Sequence, residues 1–134
     1  MILPNDTLVA VADGATLKLF RNRGVEPHID LVAVDDPKVA ATNPRSGARH
    51  RNASANLDSH RSAEDGFAAA SAGYLNRLAI AGELGPVFVI ADPRTLGELR
   101  RNFHPRLQAK IVGELAKDLT DHSIHDISTA LHNA

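Results

Sequence analysis

The stretch Pro86-Val87-Phe88-Val89-Ile90-Ala91 is a continuous apolar run in a chain of 134 residues. Helical patterns lie on both sides of it, and a short apolar run in that position is typical of a strand that is buried on both faces. Such strands occur in parallel sheets that are covered by helices. The run therefore predicts a central, parallel strand of an α/β fold.

Two helices flank this strand in the sequence. Ser62-Ala63-Glu64-Asp65 supplies carboxylates where they favour a helix start. Small residues in the same segment allow a close approach to a sheet, and Gly82 and Gly85 bracket its end. The apolar face of this helix has residues three and four positions apart, namely Phe67, Ala70, Tyr74, Leu78 and Ala81.

The second flanking helix has two competing starts. Asp92 can cap it with Pro93 in the first turn, and Thr95 can cap it with Glu98 in a capping box. Pro105 is expected to kink or restart this helix. The apolar stripe consists of Leu96, Leu99 and Phe103, continued by Leu107 and Ile111.

Three strands precede the first helix. Residues 7–12 form a short apolar run, and Asp13-Gly14 is a strong tight-turn dipeptide. Residues 15–21 alternate between apolar and polar side chains, as a half-exposed strand does, and residues 28–35 form a third apolar run. Strands joined by such short turns form an antiparallel meander.

The C-terminal segment predicts one more strand and one more helix. Residues 111–119 contain the fifth strand, and Thr120 or Asp121 caps a helix that carries Ile124, Ile127 and Leu131. The element order βββαβαβα is that of a ribonuclease H-like α/β fold. We therefore expect a mixed five-stranded sheet with helices packed on it, the first strand at its centre and the fourth strand beside it.

The composition fits one domain that spans residues 1–134. Apolar residues make up 43% of the chain and charged residues 23%, which is ordinary for a soluble globular protein. Cysteine is absent, which excludes disulfides and thiolate chemistry. Neither a signal sequence nor a membrane-spanning apolar run is found, so we expect a cytoplasmic protein.

The formal net charge of −1 conceals two basic segments. Residues 37–61 and residues 94–110 each contain five lysines or arginines and one carboxylate, so each has a net charge of +4 and the rest of the chain has −9. The first segment coincides with a loop predicted over residues 36–60, which is long for a compact domain. Guanidinium and imidazolium groups bind phosphates, and the candidate anion- or RNA-binding residues are Arg45, Arg49, Arg51, Arg61, Arg94, Arg100, Arg101, His104 and Arg106.

Carboxylates form a second candidate site. Asp13 closes the first predicted strand and Asp92 closes the fourth, and Glu64 on the first helix can approach them. If the two strands are parallel neighbours, the three residues are weak candidates for a catalytic Mg²⁺ site that hydrolyses phosphodiesters. The local interpretation is simpler, because Asp-Gly is a turn and Asp-Pro is a helix start.

Other site signatures are weak or missing. His122, His125 and His132 lie near a predicted helix end, where histidine commonly interacts with the helix dipole, and we expect no metal site there. The chain contains no P-loop, no Gly-x-Gly-x-x-Gly after a strand and no Gly-x-Ser-x-Gly elbow. We therefore expect no nucleotide cofactor.

Several segments resemble the bacterial host attachment proteins. They are Val11-Ala12-Asp13-Gly14-Ala15, Phe67-Ala68, Ala91-Asp92-Pro93-Arg94-Thr95-Leu96-Gly97-Glu98-Leu99-Arg100 and Lys117-Asp118-Leu119-Thr120. The resemblance implies a relation to the middle domain of archaeal and eukaryotic class 1 peptide-chain release factors, whose fold is ribonuclease H-like. In those factors, a Gly-Gly-Gln loop between the third strand and the first helix promotes peptidyl-tRNA hydrolysis. The corresponding loop here, residues 36–60, contains no Gly-Gly-Gln.

Three functions are compatible with these patterns. The leading hypothesis is a non-enzymatic cytoplasmic member of the host attachment family, without a cofactor, that binds RNA or the ribosome through residues 36–61 and 94–110. The second is an Mg²⁺-dependent nuclease that uses Asp13, Asp92 and Glu64. The third is an oligomeric module for protein interaction.

Overall fold

The computed structural model describes residues 3–34 and 56–134, with side chains described for residues 3–34 and 62–134. Five strands are present in this part of the chain: β1 (Leu8–Ala12), β2 (Leu17–Asn22), β3 (Leu31–Val34), β4 (Val87–Ala91) and β5 (Ile111–Ala116). The helices of the same residues are α1 (Asn56–Ile80), α2 (Pro93–Asn102), α3 (Pro105–Gln108) and α4 (Ile124–His132).

The five strands form one mixed sheet with the order β3-β2-β1-β4-β5. β1 pairs antiparallel with β2, which pairs antiparallel with β3, while β4 lies parallel to both β1 and β5. The apolar run 87–91 is therefore the parallel neighbour of β1, as predicted. The order and the directions of the strands confirm the ribonuclease H-like α/β fold.

One face of the sheet packs against the helices α1, α2 and α3. Ala68, Ala72, Leu75 and Ala79 of α1 are at most 4% exposed and lie in the same core cluster as alternate residues of β1 and β4. The apolar face predicted for α1 was rotated from this one, because Tyr74 and Leu78 are only partly buried and Ala81 is exposed. The alanines occupy the centre of the contact because their small side chains let the helix backbone approach the strands.

The other face of the sheet packs against α4 and the N-terminal segment. Val9 and Val11 of β1 share a second core cluster with Ile127 and Leu131 of α4. Because successive strand residues point to opposite faces, β1 contributes to both cores and all five of its residues are buried. The strand that leads to the candidate site is thus held from both sides.

Helix α1 differs from the prediction at its start and matches it at its end. It begins at Asn56, so residues 56–60 are helical and do not belong to the loop predicted over 36–60; residues 35–55 lie outside the description. Apolar spacing cannot detect a polar helical turn, which explains the late predicted start at Ser62. At the end, Gly82 adopts a φ of 76° and the amides of Gly82 and Glu83 donate to carbonyls of the last turn, which is a Schellman cap.

The hydrogen bonds at the first turns of the later helices show which residue caps each helix. Asp92 caps α2 by accepting a hydrogen bond from the Thr95 amide at 3.1 Å, so the Thr95 capping box is not used. Pro105 restarts the chain as α3. Ser123 caps α4, and the prediction of Thr120 or Asp121 was wrong because the Thr120 hydroxyl is engaged elsewhere.

None of the helices in the described part of the chain is long and apolar enough to cross a membrane.

Candidate functional site

An acidic cleft lies at the edge of the sheet where the parallel strands end. β1, β4 and β5 end at Ala12, Ala91 and Ala116, and an aspartate follows each of them within two residues. The cleft has a volume of about 340 Å³, and we call it the carboxyl-edge cleft. Its lining residues are Asp13, Gly14, Ala15, Glu64, Asp92, Thr95 and Asp118.

The position of this cleft follows from the topology of the sheet. After β1 the chain continues to β2 on one side, and after β4 it continues to β5 on the other. The carboxyl ends of two adjacent parallel strands whose connections diverge form a crevice, which is where open α/β sheets commonly bind ligands. β1 and β4 form that crevice, and Asp13 and Asp92 stand at its two sides.

Asp13 is held rigidly by three hydrogen bonds. Its Oδ1 accepts from the amides of Ala15 and Thr16 at 2.8 and 2.7 Å, which is the local turn structure expected of an Asp-Gly pair. Its Oδ2 accepts from the Thr120 hydroxyl at 2.7 Å, across 107 residues of sequence. The turn after β1 is therefore tied to the segment after β5.

Thr120 also brings Asp118 into the cleft. The Thr120 hydroxyl oxygen lies 3.1 Å from Asp118 Oδ1 as well as 2.7 Å from Asp13 Oδ2, although it has a single proton to donate. The Lys18 ammonium donates to the Thr120 carbonyl at 2.6 Å. Because Thr120 is 1% exposed, this junction is buried beneath the cleft.

Glu64 closes the cleft from the side of α1. A Cβ atom on Gly14 would lie 2.7 Å from Glu64 Cγ, so the glycine is what allows the helix to sit this close to the turn. Arg94 approaches Glu64 at 3.8 Å and donates to Asp65 at 3.0 Å. Arg94, which was a candidate RNA-binding residue, thus partly neutralises the acidic end of α1.

The described residues contain no group of three or more His, Cys, Asp or Glu side chains that is arranged to hold a metal ion. Asp13, Glu64 and Asp92 line one cleft, but they do not form such a group. A second open cleft of about 360 Å³ brings His28 together with His125 and His132 of α4. Among the described residues, these histidines do not form a group arranged to hold a metal ion either.

The basic residues of the segment 94–110 are distributed over both edges of the sheet. Helix α2 begins at the carboxyl edge and ends near the opposite edge, because it leads back to the start of β5. Arg94 therefore lies at the acidic end, and Arg100 and Arg101 lie in the last turn, roughly 9 to 10 Å further along the helix axis.

Arg100 and Arg101, like Arg94, are paired with carboxylates. Arg100 donates to Glu114 of β5 from Nε at 2.8 Å and from a terminal nitrogen at 2.5 Å, and these hydrogen bonds, with the charge of Glu114, raise the pKa of Arg100 above its ordinary value. Arg101 lies 3.7 Å from Glu98 and is 78% exposed. The Arg101 side chain therefore stays mostly exposed although it is paired.

Two cations at the opposite edge, Arg106 and Lys110, have no carboxylate partner among the residues described. Arg106 and Lys110 are exposed, and the Lys110 carbonyl accepts a hydrogen bond from the Val87 amide, which places it at the start of both β4 and β5. His104 caps α3 by accepting from the Arg106 amide at 3.0 Å. We call Arg101, His104, Arg106 and Lys110 the amino-edge surface.

Asn76 of α1 fixes the chain that bears this surface. Its amide nitrogen donates to the Asn102 carbonyl and its amide oxygen accepts from the His104 amide, both at 2.8 Å. These two backbone groups lie at the break between α2 and α3, where helix ends leave polar groups unsatisfied. Asn76 therefore sets the direction of α3 and the positions of His104 and Arg106.

One comparison with known proteins decides the family. The model of bacterial archaeo-eukaryotic release factor family 12 matches residues 6–131, which is almost the whole chain. The chain belongs to this family. The ribonuclease H-like sheet is consistent with that membership, and the predicted relation to release factors is confirmed at the level of the family. None of the curated proteins matches the chain.

The remaining candidates of this family 12 chain lie outside the description. Arg45, Arg49 and Arg51 belong to residues 35–55, and Arg61 lies in α1 with a side chain that is not described. The relation of the first basic segment to the amino-edge surface is therefore not part of the structure.

Sequence reasoning missed three residues of these surfaces. Asp118 follows β5 as Asp13 follows β1, and the signal was hidden because the end of the fifth strand was ambiguous in the sequence. Arg77 is exposed in the last turn of α1, next to Asn76, but it lies outside both basic segments. Asn76 carried no signal, since its partners are 26 and 28 residues away.

Proposed function

We propose that this family 12 protein is a non-enzymatic module that binds RNA, free or in the ribosome, through the amino-edge surface and the basic segment 37–61. The observation that carries the proposal is the set of exposed cations at one edge of the sheet. Arg106 and Lys110 lack a carboxylate partner within the described residues, and Arg101 is 78% exposed beside them.

The electrostatics favour this edge over the other. An arginine that already contacts a carboxylate has much of its field cancelled, whereas an unpaired cation attracts phosphates at full strength. Arg94 and Arg100 are of the first kind, since they contact Asp65 and Glu114. Arg101 is intermediate, because it contacts Glu98 at 3.7 Å but is 78% exposed. Arg106 and Lys110 are of the second kind, and Arg77 adds another exposed cation at the end of α1.

Family membership supports the same partner. A release factor-like family suggests ribosomal or transfer RNA as the class of ligand, and the +4 charge of residues 37–61 suits a polyanion. The absence of Gly-Gly-Gln from residues 36–60 supports binding rather than release-factor hydrolysis. In this proposal the protein acts in the cytoplasm.

The test is RNA binding measured across a salt series by fluorescence anisotropy. Because each phosphate contact releases a counterion, the logarithm of the affinity should fall linearly with the logarithm of the salt concentration, by about 0.7 for each contact on a single strand. We expect Arg106→Gln combined with Lys110→Gln to lower that slope by about 1.4 and to weaken binding at low salt.

The matched control removes the same number of charges from the same segment. Arg94→Gln combined with Arg100→Gln should change the slope by less than half as much, since these arginines are paired. An equal effect of the two double variants, or binding that does not depend on salt, would refute the amino-edge surface as the RNA site. The RNA should remain intact when Mg²⁺ is added, and its cleavage would refute the non-enzymatic part.

A further inference from the structure

The carboxyl-edge cleft combines a negative charge, which Arg94 offsets in part at Glu64, with a hydroxyl that has no partner among the described residues. Asp13, Glu64, Asp92 and Asp118 line it, and its lining contains no lysine, arginine or histidine. Thr95 also lines it and is 5% exposed, yet its hydroxyl makes no hydrogen bond within the described residues. A hydroxyl that opens onto a cleft without a protein partner is available to donate to or accept from a polar ligand.

The acceptors of the cleft exceed the donors that the described residues provide. Asp92 uses Oδ2 to cap α2, and no contact of its Oδ1 is found within the described residues. The single Thr120 proton serves Asp13 or Asp118, so one of these carboxylates lacks that donor at any moment. The ligand that suits such a lining carries a positive charge and several N–H donors.

The geometry favours an organic cation over a metal ion. A metal requires several ligand atoms within about 2.0 to 2.6 Å of one point, and no described group converges in that way. Here the carboxylates come from different elements around a volume of about 340 Å³, which is near the lower limit of small-molecule sites. An ammonium or guanidinium group on a carbon chain can contact separated carboxylates and fill that volume.

We propose that the carboxyl-edge cleft binds the ammonium or guanidinium group of an organic cation, from either a free polyamine or a lysine or arginine side chain of another protein. Asp92 and Asp118 accept the N–H groups, and the Thr95 hydroxyl accepts one more. The proposal does not rest on RNA binding, because the cleft and the amino-edge surface lie at opposite edges of the sheet.

The test is calorimetric titration of the full chain with spermidine, with a trilysine peptide and with MgCl₂. Asp92→Asn should weaken binding of the organic cation about threefold to tenfold, since it removes one charge from a partly exposed site. Asparagine is as good a helix cap as aspartate, so α2 should remain intact. Thr95→Val should weaken binding about twofold to threefold, and Asp118→Asn, on a different element, gives an independent measurement.

Asp121→Asn is the matched control, because Asp121 is exposed, is three residues from Asp118 and does not line the cleft. It should change the affinity less than twofold. Stronger binding of spermidine indicates a free polyamine as the source, and stronger binding of trilysine indicates a protein side chain. The proposal is overturned if neither binds saturably in the millimolar range, if Asp121→Asn weakens binding as much as Asp92→Asn, or if MgCl₂ binds at the cleft and spermidine does not compete with it.

Discussion

Asn76→Ala is expected to destabilise the protein, because the Asn76 side chain makes two hydrogen bonds to the break between α2 and α3. The substitution removes two hydrogen bonds of 2.8 Å and leaves the Asn102 carbonyl and the His104 amide without their partner. A typical hydrogen bond contributes about 0.5 to 1.5 kcal/mol, and water can replace part of it at this half-buried position. We therefore expect the free energy of unfolding to fall by about 1 to 2 kcal/mol.

The assay is urea denaturation followed by circular dichroism, since the chain has no tryptophan to report by fluorescence. For a chain of 134 residues, 1 kcal/mol corresponds to a shift of about 3 to 4 °C in Tm, so thermal unfolding should show a decrease of about 3 to 8 °C. Arg77→Ala, at the next position of the same helix, should change the free energy of unfolding by less than about 0.5 kcal/mol. An Asn76→Ala variant as stable as Arg77→Ala would refute this role of Asn76.

Three further substitutions test the structure with the same denaturation assay. Asp92→Ala should lower the free energy of unfolding by about 1 kcal/mol and Asp92→Asn should not, since only the first removes the cap of α2; equal losses would contradict the cap. Asn22→Ala should cost about 2 to 4 kcal/mol, because the fully buried Asn22 side chain makes four hydrogen bonds to backbone groups; a loss below 1 kcal/mol would contradict that. Gly82→Ala should cost about 1 kcal/mol, because Gly82 has a φ of 76°, and an unchanged stability would contradict the cap of α1.

The sheet was predictable because its signals are local. An apolar run between helices indicated a parallel strand, and Asp13-Gly14 indicated the turn that opens the meander. The contact face of α1 was not predictable in the same way. Apolar spacing predicted that large side chains such as Tyr74 and Leu78 face the sheet. The fully buried contacts are made instead by Ala68 and Ala72, whose small side chains permit a closer approach.

The candidate site shows the same division between local and tertiary signals. That Asp13 and Asp92 share one edge follows from parallel strands, and this could be expected from the sequence. The pairing of Arg94 with Asp65 and of Arg100 with Glu114 could not, because those partners are 29 and 14 residues away. A net charge of +4 over residues 94–110 therefore overstated the positive charge available to an anion. The unpaired charge lies at the C-terminal end of the segment, on Arg106 and Lys110.

The most direct test of the central claim is an NMR titration of the ¹⁵N-labelled protein with a short single-stranded RNA. We predict that, among the described residues, the largest amide shift changes fall on residues 101–110 and on Arg77. The amides of residues 13–15 and 118–120 at the carboxyl-edge cleft should be nearly unchanged. Shift changes centred on the cleft, or none with any RNA at low salt, would contradict the claim that the amino-edge surface binds RNA.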